Sequence, residues 1–473
     1  MNTLNIKSKL PNASGGSKLF LAKICFIASL GGLLFGFDTA VISGTFGFVE
    51  QQFSLSKLEV GWFGSAALVG SILGAIIAGS LGDKYGRKPI LILAGSLFFI
   101  SAFGSTFPPN FFYLIIARLV GGIGVGMASV LSPLYISEFS PPKIRGRLVA
   151  LYQLSIVIGI LLAFLANSTL LNFSQSNLAV LGKGTVDTLF ISEVWRAMFG
   201  AEMIPALLFV GLLFLVPESP RWLINAGLDK KGHAILAKIS GVKTANSELQ
   251  EIKSTLHKEK GSLSELLKPG LRLALIVGVG LSIFGQFTGV NIVVYYGPTI
   301  LENAGFALDS ALQFQVAIGV INLLFTIIAL WKIDTWGRRP LLIGGMSVTF
   351  ISLFIIAILF SMEVTGLWIV FMLMIYMASL ALSINAVIWV IIGEIFPNRI
   401  RGRAMSIATF ANWSTNFITA FIFPWYVAKI GMNAGFFTFA ITSLIATFFF
   451  YKYVPETKGK SLEEIEEYWN KGS

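Results

Sequence analysis

Twelve apolar runs constrain the fold of this chain more strongly than any other feature of its sequence. Six runs precede the polar stretch Pro217 to Arg272, at 19–44, 59–82, 89–107, 111–135, 148–170 and 197–216. Six more follow it, at 272–297, 311–331, 341–361, 366–392, 403–427 and 433–454. Each run is long enough for a helix to cross the roughly 30 Å hydrocarbon core. Because a helix satisfies its own backbone hydrogen bonds in lipid, we predict an all-α membrane protein with twelve transmembrane helices in two six-helix halves.

The composition also indicates a membrane protein. Hydrophobic residues make up 55% of the chain and charged residues 12%, against about 25% charged in a soluble domain. The net charge of +11 would suit nucleic acid, but cytoplasmic loops of membrane proteins collect Lys and Arg. We therefore expect no nucleic-acid partner. The chain also lacks a phosphate-binding loop with Lys and Ser or Thr, and we expect no ATP drive, cofactor or metal.

The basic residues set the predicted orientation and domains. With both termini in the cytoplasm, most Lys and Arg between the runs fall on the cytoplasmic side, as the positive-inside rule requires. The expected parts of the chain are a cytoplasmic tail at 1–18, a six-helix bundle at 19–216, a cytoplasmic helical linker at 217–271, a second six-helix bundle at 272–454 and a cytoplasmic tail at 455–473.

Three short motifs recur in the same order in both halves. The matches are 83–89 with 334–340, Glu138 and 145–147 with Glu394 and 401–403, and 217–219 with 455–457. A parallel repeat of two halves is typical of transporters that move two bundles around a midplane site, so we expect a transporter rather than an enzyme. The basic residues alone would follow from topology, but their repeated spacing with glutamates predicts a latch between the halves. The predicted cytoplasmic gate comprises Asp83, Arg87, Glu138, Arg145, Asp334, Arg338, Glu394 and Arg401.

Asp38 is the only charged residue after Lys23 in the first run. A carboxylate near the centre of a bilayer costs about 2.5–3.5 kcal/mol on insertion scales, and Arg118, the only basic residue within the fourth run, is its candidate partner. Two interpretations stay open: a static ion pair that fixes helix register, and a protonation switch that releases Arg118. Glu202 would either relay protons to this pair or be a solvated carboxylate at a helix end.

Amide and aromatic side chains within the apolar runs are candidates for a ligand cavity. Amides both donate and accept hydrogen bonds, which suits hydroxyl-rich neutral ligands, and flat rings suit the apolar face of a sugar. Each amide alone would equally serve as a hydrogen bond between helices. The candidates are Gln153, Gln286, Asn291, Tyr295, Tyr296, Asn385, Trp389, Asn412, Trp413 and Asn416. The glycines around Gly285 and Gly289 in the seventh run would let that helix break.

The chain resembles the sugar porter family of the major facilitator superfamily, and especially its bacterial proton-coupled xylose and glucose symporters. The resemblance rests on stretches distributed from the first run to the last. These are 36–44, 82–88, Arg118 with its glycines, 217–222, 286–291 and 455–459. It implies a major facilitator fold, alternating access and import of a monosaccharide with a proton. It also implies a monomer in the plasma (inner) membrane, in contact with membrane lipid.

The family's functional residues match positions of this chain. Asp38 and Arg118 match the proton-coupling pair and Glu202 an accessory carboxylate. Sugar contacts are matched by Gln153, Gln286, Asn291 and Trp389. The groups of Glu138 with Arg145 and of Glu394 with Arg401 match a cytoplasmic charge network that favours the outward-facing state. Because uniporters of the family commonly carry Asn in place of Asp38, the resemblance favours symport over the alternative, a facilitative sugar or polyol uniporter.

Four positions around the expected sugar site depart from the family. Gly285 stands where the family has a first glutamine, Asn385-Ala386 where it has Gly-Pro, and Ile160 and Asn412 where it has further glutamines. The identity of the sugar is therefore left open. The loss of proline predicts a straighter helix in the tenth run.

Overall fold

The computed structural model describes residues 16–176, 184–255, 263–268, 271–397, 400–460, 464–465 and 468–469. The expected tails at 1–18 and 455–473 lie partly outside these residues. All regular secondary structure within the described part of the chain is helical.

The described residues of the first half form nine helices and three short turns. The helices are α1 (Lys18–Val41), α2 (Phe46–Phe53), α3 (Lys57–Tyr85), α4 (Arg87–Thr106), α5 (Phe111–Phe139), α6 (Arg145–Ser176), α7 (Thr185–Asp187), α8 (Val194–Gly200) and α9 (Met203–Leu213). The turns are two 3-10 segments, Ile42–Gly44 and Pro142–Ile144, and one π segment, Thr188–Ser192.

Three helices of the linker pack on one end of the bundle, which we call the linker face. They are α10 (Pro220–Asn225), α11 (Asp229–Ser240) and α12 (Val242–Thr255), followed by a 3-10 segment, Leu263–Leu267. The end that holds α2 is the opposite face. The linker is bound to the first half, because Ser17 N donates to Lys238 O over 2.9 Å and Trp222 Nε1 donates to Asp83 O over 2.9 Å.

In the second half, the part of the chain that the structure describes forms eight helices between 271 and 453. They are α13 (Leu271–Phe287), α14 (Val290–Asn303), α15 (Leu308–Trp336), α16 (Arg338–Ser361), α17 (Leu367–Leu382), α18 (Ile384–Glu394), α19 (Arg401–Ile430) and α20 (Met432–Tyr453).

Twelve helical spans cross the molecule, six in each half, which confirms the predicted fold class. Eleven spans in the described part of the chain have both the length and the hydropathy to cross a membrane. The twelfth, α19, has 30 residues, but polar residues such as Asn412 and Asn416 lower its hydropathy. Single spans are formed by α8 with α9, α13 with α14, and α17 with α18.

The seventh and tenth spans are both interrupted. Gly289, with φ +78°, separates α13 from α14, where the glycines predicted a break. The prediction of a straighter tenth span was wrong, because Ser383, with φ −108° and ψ −104°, separates α17 from α18. Ser383 Oγ donates to Ser379 O over 2.7 Å, a type of bond that bends helices. Gly345 of α16 leaves room for this bend, since a Cβ there would overlap Ser383.

The two halves touch closely toward the opposite face. A Cβ at Gly61 of α3 would overlap the carbonyl oxygen of Phe421 in α19. Nearby, the rings of Phe46 and Tyr296 stack with their centroids 4.5 Å apart. These contacts bring the halves together at the end of the bundle remote from the linker.

Candidate functional site

Asp38 and Arg118 form an ion pair inside the first half. Arg118 Nη1 lies 2.6 Å from Asp38 Oδ1, and Nη2 donates to the Asp38 carbonyl oxygen over 3.2 Å. The two residues are 1% and 2% exposed. Arg118 also lies over the ring of Phe199, 5.4 Å from its centroid. The pair thus joins α1 to α5 within a low-dielectric interior, where charge–charge interactions are strong.

Glycines bring the supporting helices of this pair close together. A Cβ at Gly36 of α1 would overlap the carbonyl oxygen of Ile156 in α6, and a Cβ at Gly122 of α5 would overlap that of Ala67 in α3. The backbones of α1 and α6, and of α5 and α3, are therefore in direct contact. This packing fixes the helices that carry Asp38 and Arg118.

Glu202 lies at the junction of α8 and α9, completely buried. It interacts electrostatically with both Asp38 and Arg118. Its carboxyl lies within hydrogen-bonding reach of the Asp38 carboxylate, and neither of its oxygens accepts a hydrogen bond from an N–H or hydroxyl donor among the described residues. The solvated alternative considered from the sequence is wrong, because the side chain has no exposed surface.

A small cavity with an accessible volume of about 10 Å³ lies between the halves beside the ion pair. Its wall includes Asp38 and Arg118 from the first half and Tyr295 and Trp413 from the second. This volume is far below the roughly 300–1,000 Å³ of typical ligand clefts, so the space must widen to admit a sugar. The ion pair and two of the candidate ligand residues therefore face one small space between the halves.

The cavity wall also contains residues of α3 that the sequence did not single out. They are Gly64, Ala67, Leu68 and Ser71. Small and apolar residues of a spanning helix give no polar signal, so only their packing identifies them as cavity residues.

Three of the candidate amides form a chain in the second half. Asn291 Nδ2 donates to Gln286 Oε1 over 2.7 Å, and Gln286 Nε2 donates to Asn412 Oδ1 over 3.2 Å. The chain connects α14, α13 and α19. Its members lie partly exposed or at the edge of burial, so their remaining donors and acceptors are available to a ligand.

A second amide contact lies deeper in the same half. Asn416 Nδ2 donates to the hydroxyl of Tyr295 over 3.1 Å, while the buried Asn416 Oδ1 has no hydrogen-bond partner among the described residues. Trp413, on the same helix as Asn416, packs against Phe35 of α1 with centroids 5.6 Å apart. This cluster links the second half to the helix that carries Asp38.

Several candidate residues do not join these hydrogen-bonded groups. Gln153 of α6 and Asn385 of α18 are half-buried, and neither makes a hydrogen bond with a described residue. Trp389 of α18 is 36% exposed. Gly285 packs against Ile384, which precedes Asn385, with 3.3 Å between a built Cβ and the isoleucine Cγ1. The structure thus places Asn385 on the helix adjacent to Gln286 without pairing the two amides.

In the first half, the gate residues form an ion-pair group at the linker face. Arg87 Nη2 lies 3.1 Å from Asp83 Oδ1 and 3.0 Å from Glu138 Oε1. Arg145 instead donates to the carbonyl oxygen of Ser140 over 3.4 Å. Among the described residues, Arg145 makes no ion pair within 4.0 Å.

The second half repeats this arrangement. Arg338 Nη2 lies 3.1 Å from both Asp334 Oδ1 and Glu394 Oε1. Arg401 donates to the carbonyl oxygen of Phe396 over 3.3 Å. Each ion-pair group is therefore closed within its own half, and no ion pair among the described residues crosses between the halves at the linker face.

Known proteins resemble this chain over almost its whole length. A family model described as "Sugar (and other) transporter" matches residues 24–469. The arabinose-proton symporter of Bacillus subtilis is 39% identical over 468 residues, covering 98% of each chain. The major myo-inositol transporter IolT of the same organism is 39% identical, covering 96% of each chain.

A solved structure shares the fold. The partially occluded inward-open conformation of the xylose transporter XylE from Escherichia coli superposes with a TM-score of 0.82 and 36% identity, covering 94% of this chain and 100% of that chain. The likeness extends over both halves.

Proposed function

Because the chain belongs to the sugar (and other) transporter family, we propose that it imports a monosaccharide together with a proton by alternating access. The observation that carries the proposal is the buried ion pair of Asp38 and Arg118 on the wall of the central cavity. A carboxylate in this position gains a strong charge partner and reaches the space that a substrate would occupy. The arabinose-proton symporter is a relative at 39% identity, which also supports coupling.

The ion pair supplies a chemical basis for coupling. While Asp38 is ionised, its attraction to Arg118 joins α1 to α5. Protonation removes the charge of Asp38 and frees the guanidinium, so the packing of these helices differs between the two states. The proton thus favours one arrangement of the first half, and Glu202 adds a second carboxyl to the same electrostatic group.

The amide groups of the second half are the proposed sugar site. The chain of Asn291, Gln286 and Asn412 offers paired donors and acceptors in a fixed order, which suits the vicinal hydroxyls of a monosaccharide. Tyr295 and Asn416 extend the site toward the ion pair. Gln153, Asn385, Trp389 and Trp413 complete the proposed substrate-binding set.

The linker face is the proposed cytoplasmic side. We place both termini in the cytoplasm and the protein in an inner membrane. Close contacts at the opposite face, such as Gly61 with Phe421, and the absence of inter-half ion pairs among the described residues at the linker face both support an inward-facing state. We further propose that the eight gate residues pair across the halves when the transporter turns outward. The protein acts as a monomer surrounded by lipid.

Uptake into proteoliposomes tests the coupling. With an inward proton gradient, the wild type is expected to accumulate one of a panel of labelled pentoses, hexoses and inositols above equilibrium. Asp38→Asn is expected to equilibrate the same sugar without accumulation, because its side chain cannot take up a proton. Asp309→Asn, which removes a carboxylate from the first turn of α15, serves as the control and should accumulate normally.

Undiminished accumulation by Asp38→Asn would remove Asp38 from the coupling mechanism. Equilibration without accumulation by the wild type would instead favour the uniporter, with the ion pair acting as a structural link between α1 and α5.

A further inference from the structure

A group of buried polar atoms without partners lies around the ion pair, separate from the cavity wall. Ser101 and Ser105 of α4 are 1% and 0% exposed. Their hydroxyl oxygens and Arg118 Nε make no hydrogen bond with any described residue, and the carboxyl oxygens of Glu202 have only the Asp38 carboxylate within hydrogen-bonding reach. The two serines and Glu202 are not among the residues that line the central cavity.

Ser101 Oγ and Asp38 Oδ1 lie on the same side of Gly121. A Cβ built on Gly121 would overlap Ser101 Oγ and would lie 3.4 Å from Asp38 Oδ1. The glycine therefore lets the serine hydroxyl pack against α5 beside the carboxylate. A larger residue at 121 would displace the hydroxyl.

The other unpartnered atoms lie further along α4 and at the adjoining α8–α9 junction. Ser105 is four residues after Ser101 and lies on the same face of the helix. Thr106, the residue after Ser105, lies close to Gly200 of α8. A Cβ placed on Gly200 would be 3.1 Å from Thr106 Oγ1. That contact brings the α8–α9 junction, and with it Glu202, to this end of α4.

The two serines differ from the other hydroxyl residues of their helix. Ser96 Oγ donates to the carbonyl oxygen of Ile92 over 2.9 Å, and Thr106 Oγ1 donates to that of Ala102 over 2.7 Å. These bonds to the preceding turn are the usual way for a helix to satisfy a hydroxyl. Ser101 and Ser105 do not make them, so their hydroxyls are free to bind water near Asp38.

Buried polar groups without partners are costly, and native proteins satisfy such groups with internal water, each molecule making about three hydrogen bonds. The group offers both hydroxyls, which donate or accept, and the guanidinium Nε, which donates. We infer that Ser101, Ser105 and Glu202 form a water-binding pocket behind the ion pair, and that this water delivers the coupling proton to Asp38. The inference rests on the proposed proton symport.

The transfer requires no group besides water and the carboxylate. A hydronium ion in the pocket gives one proton to Asp38, an O–H bond forms on the carboxylate, and water remains. The charge of the proton cancels that of the carboxylate, which frees Arg118. Since the pocket is separate from the cavity wall, the proton and the sugar reach the ion pair from different sides.

The test removes the two hydroxyls and leaves every charged group in place. The double variant Ser101→Ala/Ser105→Ala is compared with Ser96→Ala, whose hydroxyl is already satisfied by its own helix. Proton-driven accumulation is measured together with sugar counterflow, which needs no net proton transfer. We expect the double variant to lose about fivefold in the initial rate of proton-driven uptake, the effect of losing a hydrogen bond of ordinary strength, while counterflow stays within twofold and Ser96→Ala behaves as wild type.

Infrared spectroscopy of the purified protein gives a readout independent of transport. The carbonyl stretch of a protonated carboxyl moves to higher frequency when its hydrogen bonds to water are lost. We expect this shift in Ser101→Ala/Ser105→Ala. Adding Glu202→Gln to that double variant leaves Asp38 as the only carboxyl of the pair. If the shifted band then disappears, it belongs to Glu202.

Two results would overturn the inference. If uptake and the infrared band of the double variant match those of Ser96→Ala, the hydroxyls bind no functional water. If counterflow falls together with uptake, the serines stabilise the bundle and have no specific part in proton delivery. Neither result affects the proposed function, which fails only if Asp38→Asn accumulates sugar or the wild type does not.

Discussion

Glu218 and Glu456 occupy equivalent positions in the two halves and differ in their electrostatics. Glu218 Oε1 accepts from the backbone N–H of Arg87 over 3.0 Å, at the start of α4. Glu456 Oε1 accepts from that of Arg338 over 3.1 Å, at the start of α16. Burial raises the pKa of Glu218 despite its backbone hydrogen bonds. For Glu456, burial also acts to raise the pKa, but backbone hydrogen bonds from Lys458 and the start of α16 outweigh it and lower the pKa.

The two glutamates should therefore respond oppositely to neutralisation. Glu456→Gln is expected to lower stability at neutral pH by about 0.5–2 kcal/mol, the value of a helix N-cap or a charge at a helix N-terminus. Because a lowered pKa stabilises the fold only while the carboxylate is charged, this difference should vanish as the pH falls through the pKa of folded Glu456. Thermal unfolding in detergent, followed by tryptophan fluorescence over a pH series, measures it.

Glu218→Gln is the matched comparison. A raised pKa means that the fold disfavours the charged form, so stability is lost as the pH rises through the pKa of folded Glu218. The glutamine variant should then be at least as stable as wild type at neutral pH and lose that advantage in acid. A neutral-pH loss equal to that of Glu456→Gln would contradict the difference in burial.

Some side-chain positions follow from the sequence and others do not. Asp38 and Arg118 could be paired in advance, because each is an isolated charge of opposite sign in a spanning run and an unpaired buried charge is costly. The half-buried, unbonded states of Gln153 and Asn385 could not be foreseen, because neutral amides satisfy themselves with many different partners. Ser101 and Ser105 gave no signal, since serines are common in spanning helices.

At the scale of helices, the break between α17 and α18 is the main departure from expectation. The run pattern located both this span and the one formed by α13 and α14, and the glycines indicated the break at Gly289. No comparable residue marks Ser383. The break depends on the neighbouring helix, where Gly345 leaves space for Ser383, and a contact between two distant helices cannot be read from either one alone.

Adding one methyl group tests the origin of this break. A Cβ at Gly345 would overlap Ser383, whereas a Cβ at Gly344 would meet nothing within 4 Å. Gly345→Ala is expected to destabilise the protein by about 1–3 kcal/mol, as overpacking does, and to slow transport. Gly344→Ala should leave stability equal or improved by up to about 1 kcal/mol, the helix preference of alanine over glycine. Thermal unfolding and initial uptake rates distinguish them.

Equal behaviour of the two alanine variants would show that α16 does not determine the shape of the tenth span.

For the whole molecule, we expect a close contact between the halves to influence which end opens. Gly61 of α3 touches the backbone of Phe421, so closure of the opposite face requires a residue without a side chain. Two rigid halves that meet in this way exchange access by changing their contacts at the two ends. A residue that prevents contact at one end should hold that end open.

Gly61→Val is expected to separate the halves at the opposite face and to lower uptake about tenfold or more, since destabilising one state by about 1.4 kcal/mol shifts the equilibrium tenfold. Gly79→Val, in the same helix with nothing within 4 Å of its Cβ, is the control. Spin labels at the exposed residues Gln51 and Asn303 report the distance across the opposite face. That distance should lengthen in Gly61→Val alone, and an unchanged distance would contradict the assigned contact.

The low hydropathy of α19 has a consequence for how the protein is made. Its amides, including Asn412 and Asn416, oppose partitioning of the helix from the translocon into lipid. The helix packs against α3 and α13, both synthesised before it, and against α20, synthesised after it. We therefore expect the nascent α19 to enter the bilayer by docking on helices already inserted, with the first half as a template on which the second half is completed.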